Sequence, residues 1–372
     1  MTIALTYNVK RESETFLPSS SDQASEPSSD EIASPLVPHA ERKQDLYAEW
    51  DTMDTINAVR DAIAERFTVS LVEADADAYE RLRAMRPAFV FNIAEGLHGV
   101  SREAQIPAML ELLEIPYLGS DPLTLALCLD KGRTKEILSH HGVRTAPFVT
   151  IASMDELEDA RVRFPLIVKP LHEGSSKGIY NSCVARNSEE LEKEVRTILE
   201  TYEEPVLVEE FLPGREFTVA VLGNGESLTV LPIVEISFAA LPKGMNPIYS
   251  YEAKWVWDKA DNPLEIFSCP ARIPESLAGE IRDLCERTYR VLRCRDWSRI
   301  DVRLDAGGHP HILEVNPLPG ILPRPEDNSC FPKAARAAGM TYAQLINSVL
   351  DIAMARCGIA VSEHESAMDR IQ

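Results

Sequence analysis

The chain is short of positive charge. Lys and Arg number 38 against 59 Asp and Glu, a net charge of −21 over 372 residues. Nucleic acid is therefore not an expected partner, because phosphate backbones need a basic face. A nucleotide stays open, since a few lysines suffice for a local pocket. Also lacking is any C-x-x-C pair; the seven cysteines scatter through apolar stretches, as reduced cysteines usually do. No apolar run reaches the roughly 18 residues of a membrane span, and no signal-peptide pattern opens the chain. The expectation is a cytoplasmic protein with no membrane partner. Two nucleotide motifs are missing as well. Without Gly-x-x-x-x-Gly-Lys-Ser/Thr or Gly-x-Gly-x-x-Gly, the P-loop and Rossmann readings have no support.

What is present is enough for a sizeable core. Apolar residues make up 45% of a chain long enough for two or three domains. The stretch that organises it is Arg299–Asp305, Ala306-Gly307-Gly308, and His309–Asn316. Val302, Leu304, Ile312, Leu313 and Val315 are strand formers, and the glycines supply a turn. An even-length loop centred on Gly307-Gly308 sets Asp301 directly opposite Glu314, with Asn316 two residues on and on the same face. Two facing carboxylates repel unless a cation lies between them. Two carboxylates and an amide oxygen suit Mg²⁺ holding a nucleotide phosphate. A surface hairpin with scattered charges is the competing reading, and it would suffice for Asp301 alone.

Taken in order, Ile3–Tyr7 reads as a strand. Residues 13–44 are rich in Ser, Pro and acid and are expected to be a disordered insertion. Asp54–Arg66 is an amphipathic helix, Thr68–Val72 a strand, Tyr79–Met85 a helix and Phe89–Ile93 an apolar strand of the kind found in parallel sheets. A loop carrying Glu95 and His98 follows, then a helix from Arg102 to Leu113. This alternation predicts a small doubly wound domain, with Glu95 and His98 at the strand ends where ligands bind. Leu125–His141 reads as one helix containing Asp130-Lys131. Phe164–Pro170 is a strand ending in Lys169, and the loop Glu173-Gly174-Ser175-Ser176-Lys177-Gly178 is small enough to let backbone N–H groups approach phosphate. Val206–Leu212 is a strand with a central acid, Glu209. Residues 242–257 form a long aromatic loop, which suggests a lid. Glu275–Leu292 and Tyr342–Arg356 are helices. Lys131, Lys169, the Gly-Ser-Ser loop, Glu209, Lys254 and the Asp301/Glu314/Asn316 group together are what phosphoryl transfer needs.

The same order resembles the ATP-grasp ligases, and within them the D-alanine–D-alanine ligases, from about residue 50 to residue 358. The parts that carry it are Ile115–Ser120, Leu129-Asp130-Lys131, Phe164–Pro170, Glu173–Ser176, Gly214–Val219, Tyr249–Lys254, Asp296–Asp301 and Glu314–Gly320. The resemblance implies an α/β ATP-grasp fold of three α/β domains. Residues 1–125 would be an N-terminal doubly wound parallel-sheet domain, 126–212 a central subdomain, and 213–358 a C-terminal, metal-binding domain. It implies ATP and two Mg²⁺ ions, with Mn²⁺ as a substitute, small amino-acid substrates, and a role in peptidoglycan synthesis for the cell wall. A homodimer is allowed for. Lys131, Lys169 and Lys254 would meet phosphates, with Glu173, Ser175 and Ser176 in the loop around them. Glu209, Glu216, Phe211 and Leu212 would meet the base and ribose. Asp301, Glu314 and Asn316 would hold the metals. Arg299 and the Gly320 N–H would stabilise the oxyanion of a tetrahedral intermediate. An acyl phosphate would form and an amine would attack it.

Three departures from that family stand out. The amino-terminal Gly-Gly-x-Ser-x-Glu segment is missing; Glu49 is the expected partner of the first amino acid's ammonium group, with Glu12 second. The tyrosine expected after the lid lysine is Trp255, which would face the substrates with Tyr251; its indole donates but cannot accept. The expected serine for the second carboxylate is Ser329, in a segment lengthened by about Arg324–Asp327. Two other readings follow: a ligase of another amino-acid pair or a hydroxy acid, and a non-catalytic nucleotide-binding protein.

Overall fold

The computed structural model describes residues 1–10, 49–96, 98–159, 163–257, 264 and 266–360; for residues 159 and 255–257 it describes the backbone alone. Glu12 and the expected insertion at 13–44 lie outside these residues.

The first sheet has the order β2-β1-β3, from Thr2–Tyr7 (β1), Thr68–Glu73 (β2) and Phe89–Asn92 (β3), all parallel. Alternate residues of a strand point to opposite faces, and both faces are covered here. Ile3, Leu5, Phe89 and Phe91 pack on α1 (Met53–Ala64) and on the last helix, α9 (Tyr342–Arg356). Ala4, Val72 and Val90 pack on α2 (Ala78–Met85) and α3 (Gln105–Leu112). The expected doubly wound sheet is therefore present. The expected helix at Arg102–Leu113 begins as a 3₁₀ turn over Arg102–Ala104.

The helix expected over Leu125–His141 is two helices, α4 (Pro122–Leu129) and α5 (Lys131–His140). Asp130 between them is extended at ψ 95°, and its carboxylate accepts from Arg133 N–H as the α5 N-cap. Capping a new helix there places Lys131 in its first turn.

A four-stranded antiparallel sheet follows, in the order β4-β7-β5-β6, from Phe148–Ile151 (β4), Leu166–Pro170 (β5), Val184–Ala185 (β6) and Val206–Glu210 (β7). Leu166, Val168, Val206 and Val208 bury against α6 (Ser188–Tyr202). Ile167, Lys169 and Glu209 therefore point away from α6.

The third sheet has the order β11-β10-β8-β12-β13, with β9 also on β8. Its strands are Glu216–Asn224 (β8), Ser227–Val230 (β9), Val234–Ile236 (β10), Phe267–Ser268 (β11), Asp296–Leu304 (β12) and Pro310–Asn316 (β13). Phe217, Val219, Val221, Ile300 and Val302 pack on α7 (Glu275–Leu292). On the opposite face, Ala220, Leu222 and Trp297 are covered by α8 (Cys330–Ala337) and α9. Burying one such aliphatic side chain contributes about 1.5–3 kcal/mol, so both faces fix the strands firmly. Period two then puts Glu216, Thr218, Arg299, Asp301 and Arg303 on the second face, beyond the apolar patch. They look across a cleft to Ile167, Lys169 and Glu209.

Candidate active site

The hairpin at the base of the cleft pairs Asp301 with Glu314 and Arg299 with Asn316, as the sequence requires. The turn that achieves this differs from expectation. Leu304 pairs with Pro310 and Val302 with Ile312, so the loop is Asp305–His309 and centres on Gly307. Asp305 closes it, accepting from Gly307 N–H at 2.8 Å and His309 N–H at 2.9 Å. A β-bulge beyond Asp301 takes up the odd residue and restores the register at the carboxylates.

Arg299 lies between the two acids. Its Nη2 is 3.0 Å from Asp301 Oδ2 and 3.5 Å from Glu314 Oε1. Burial alone would raise the Glu314 carboxyl, but Lys131, Arg299 and Lys169 hold it at about 2. Burial raises Asp301, with Arg299 opposing it and Glu314 adding to the rise. Asn316 Nδ2 reaches Glu314 Oε1 at 3.3 Å. Among the described residues no three His, Cys, Asp or Glu side chains converge as a metal cage. The oxygen set is two carboxylates and one amide.

Two cavities meet at this floor. The first, about 440 Å³, is lined by Glu49, Glu95, Lys131, Asn316, Gly320 and Ser329 among others. The second, about 160 Å³, is lined by Lys169, Ser176, Glu209, Phe211, Leu212, Glu216 and Asp301 among others. Glu173, Ser175, Lys254, Arg299 and Glu314 line both, so the cavities form one two-lobed cleft.

The Gly-Ser-Ser loop forms the wall between the lobes. Ser175 and Ser176 are both left-handed, at φ 51° and 62°. Non-glycine residues adopt this region at a cost of about 1–2 kcal/mol each, and such strain collects at ligand sites. The aromatic segment expected to be a lid touches the loop: Ser176 Oγ donates to Tyr249 O at 2.9 Å, and Tyr251 N–H donates to Ile179 O at 2.7 Å. Lys254 follows in a single π-helical turn, Glu252–Trp257. Burial pulls its ammonium down to about 8.

At the far end of the second lobe, Lys169 and Lys135 both pair with Glu209, Lys135 at 2.7 Å, and Glu209 is 1% exposed. Burial would raise Glu209, yet the two lysines hold it at about 2. Glu216 pairs with Arg303 at 2.7 Å, and Arg303 lies 4.7 Å above the Phe211 ring.

The first lobe is acidic. Burial lifts Asp51 to about 7 and, with Glu49, lifts Glu103 to about 8. Burial also raises Glu95 well above its ordinary range, helped by Glu103, Glu49 and Asp51. Glu49 is already engaged, by Arg102 and by the Gly174 N–H. Lys131 Nζ donates to Glu173 O.

Two expected site residues are not among the lining of either lobe. His98 is exposed, its carbonyl taken by Gln105. The Tyr251 ring packs against Tyr180 at a tilt of 43°, with centroids 5.4 Å apart. The Trp255 side chain lies outside the described residues. Sequence reasoning missed Arg102, Glu103, Lys135 and Arg303. Arg303 carried a signal, since it lies two residues beyond Asp301 on the same strand face. Lys135 lies one helical turn after Lys131.

The family model for the D-ala D-ala ligase C-terminus matches residues 137–351. A D-alanine–D-alanine ligase of Bordetella petrii is 39% identical over 290 residues, covering 76% of this chain and 83% of that one. The chain belongs to the D-alanine–D-alanine ligase family. Membership makes it an ATP-dependent ligase of the peptide-bond-forming kind. The uncharacterized protein y4sG of Sinorhizobium fredii is also 39% identical, over 273 residues, covering 73% of this chain and 76% of that one. A Bacillus anthracis D-alanine–D-alanine ligase, solved in complex with ATP, superposes with a TM-score of 0.66 at 21% identity, covering 96% of this chain and 98% of that one. This likeness establishes the ATP-grasp fold for this family member. Among the described residues no helix is long and apolar enough to cross a membrane.

Proposed function

We propose that the chain joins two D-alanine molecules, with ATP as phosphoryl donor, and so serves peptidoglycan synthesis in the cytoplasm. The observation that carries this reading is the shared floor of the two lobes. Lys254, Arg299, Glu314 and the Gly-Ser-Ser loop face the lobe lined by Phe211, Leu212, Glu209 and Glu216 on one side and an acidic lobe on the other. ATP would lie in the second lobe, its base beside Phe211 and Leu212, its ribose toward Glu216 and Glu209, and its phosphates toward Lys169, Lys254 and the loop N–H groups. Lys131 would reach the phosphates from the first lobe. The ammonium group of the first amino acid would enter the acidic end, among Glu49, Glu95 and Glu103. Ser329 would meet the second carboxylate.

The first carboxylate attacks the γ-phosphorus, ADP leaves, and an acyl phosphate forms. The amine of the second molecule attacks the acyl carbon, loses a proton, and phosphate leaves. Arg299 and the Gly320 N–H would stabilise the oxyanion of that step. The protein contributes position and charge neutralisation. Asp301, Glu314 and Asn316 offer hard oxygen donors, with Glu314 kept ionised, which fits Mg²⁺. When bound, the ions would neutralise charge on the transferred phosphoryl group.

A second acceptor is favoured by one observation. Arg324, Glu326 and Asp327, in the lengthened segment, line the first lobe beside Ser329. The test offers ATP with D-alanine, L-alanine, D-serine or D-lactate, measuring phosphate and identifying the product by mass. D-alanyl-D-alanine with matching phosphate supports the proposal. Product only from another pair supports the second reading, and no phosphate with any pair contradicts both.

A further inference from the structure

Arg102 belongs to the first domain's 3₁₀ turn, far in sequence from the phosphate loop, yet it is 7% exposed and makes ion pairs across the cleft. Its Nη2 lies 2.8 Å from Glu49 Oε2 and 3.2 Å from Glu173 Oε2. Glu49 Oε1 in turn accepts from the Gly174 N–H at 2.8 Å. Glu173 also pairs with Lys177 at 2.7 Å. One guanidinium thus ties the segment entering α1 to both sides of the loop between the lobes.

Two glycines are shaped to this contact. A Cβ on Gly174 would stand 2.4 Å from Glu49 Oε1, an atom that Arg102 holds in place. A Cβ on Gly96, at φ 73°, would stand 2.7 Å from the Arg102 carbonyl oxygen and 2.9 Å from its Cβ. The backbone gives way on both sides for the arginine and the acid to meet.

We infer that Arg102 is a positioning residue for ATP binding: through Glu49 and Glu173 it clasps the Gly174–Ser176 loop to the first domain. The inference rests on the proposed placement of ATP in the second lobe. It assigns Glu49 mainly to the loop, leaving Glu95 and Glu103 as the less engaged acids of the first lobe. Two left-handed serines in succession are an unfavourable conformation, so the loop needs an external hold to keep its N–H groups aimed at phosphate. One guanidinium nitrogen, Nη2, shared between the two carboxylates supplies that hold through charge-assisted hydrogen bonds.

The test is calorimetric titration of ATP into the full chain, as wild type, Arg102→Met and Arg102→Lys, with Mg²⁺ and without amino acid. Steady-state KM for D-alanine at saturating ATP is measured alongside. Losing charge-assisted hydrogen bonds that align the loop should weaken ATP binding about tenfold or more in Arg102→Met. Arg102→Lys should fall between Arg102→Met and wild type, and the KM for D-alanine should move less than the ATP Kd. Adding Glu49→Gln to Arg102→Met should cause little further loss, because both act through one contact. If Arg102→Met does not fold, Arg102→Lys carries the test. Wild-type ATP affinity in a folded variant overturns the inference, as does a raised KM for D-alanine with ATP binding unchanged. If wild type itself fails to bind ATP, the proposed function fails, which is a distinct result.

Discussion

Asp301 and Glu314 face each other across β12 and β13, and one guanidinium, that of Arg299, reaches both. The pair therefore combines opposed acids with a cation that also faces the acidic lobe. Charge placed here acts on whatever bridges the two lobes. Glu314→Gln should lower kcat by well over tenfold, since charge stabilisation at a transferred phosphoryl group amounts to several kcal/mol. The variant should stay folded with a modest loss of melting temperature, because Lys131, Arg299 and Lys169 stabilise the Glu314 charge, while Glu314 is a quarter exposed and Arg299 keeps Asp301 as its partner. Both are read on the same purified variant; retained turnover would contradict the metal assignment.

Glu209 lies between Lys135 and Lys169, and both Lys135 and Glu209 are almost fully buried. Glu209→Gln leaves two buried ammonium groups without their anion, a loss of about 3–5 kcal/mol. Denaturant unfolding should show that loss, and adding Lys135→Met should recover part of it. An unaffected unfolding midpoint would mean that the lysines find other partners.

Stability should also depend on pH through His172. Burial would lower its imidazole, but the carboxylates of Asp130, 3.6 Å from Nε2, and of Glu204, hydrogen-bonded to Nδ1 at 3.0 Å, raise it to about 9. Its unfolded value is about 6.5. The native state therefore binds the proton more tightly than the unfolded state. The stability this gives is full below about 6.5 and is lost as pH rises through about 9. His172→Gln should be less stable than wild type at pH 6, with the gap closing toward pH 9. Unfolding free energies of both proteins across that range check it; a gap that widens with pH would contradict it.

Much of this was legible because period and pairing are local properties. The alternation of Val302 and Leu304 with Asp301 and Arg303 declares a two-faced strand, and apolar β1 and β3 declare a buried parallel sheet. The Asp301–Glu314 register was legible although the loop leading to it was not. A glycine pair suggests an even turn, whereas Asp305 makes an odd one by accepting two N–H groups, and a bulge then compensates. The single helix read across residues 125–141 failed at Asp130 for a related reason: a side chain that caps a new helix competes with continuing the old one. The long-range pairs were not legible. Nothing near Arg102 in sequence points to Glu173, 71 residues on. Nor does Glu216 announce Arg303, 87 residues on. Such contacts exist only once three sheets are assembled around one cleft.

Activation of a substrate carboxylate by phosphorylation from ATP is the step on which the function of the cleft depends, and isotope transfer tests it most directly. The enzyme is supplied with ATP and D-alanine labelled with ¹⁸O in the carboxylate, and the released phosphate is analysed by mass. Attack of that carboxylate on the γ-phosphorus predicts one ¹⁸O carried into each phosphate, in step with D-alanyl-D-alanine formed. Unlabelled phosphate released alongside the dipeptide would contradict the acyl-phosphate route, and with it the roles assigned to the residues of the cleft.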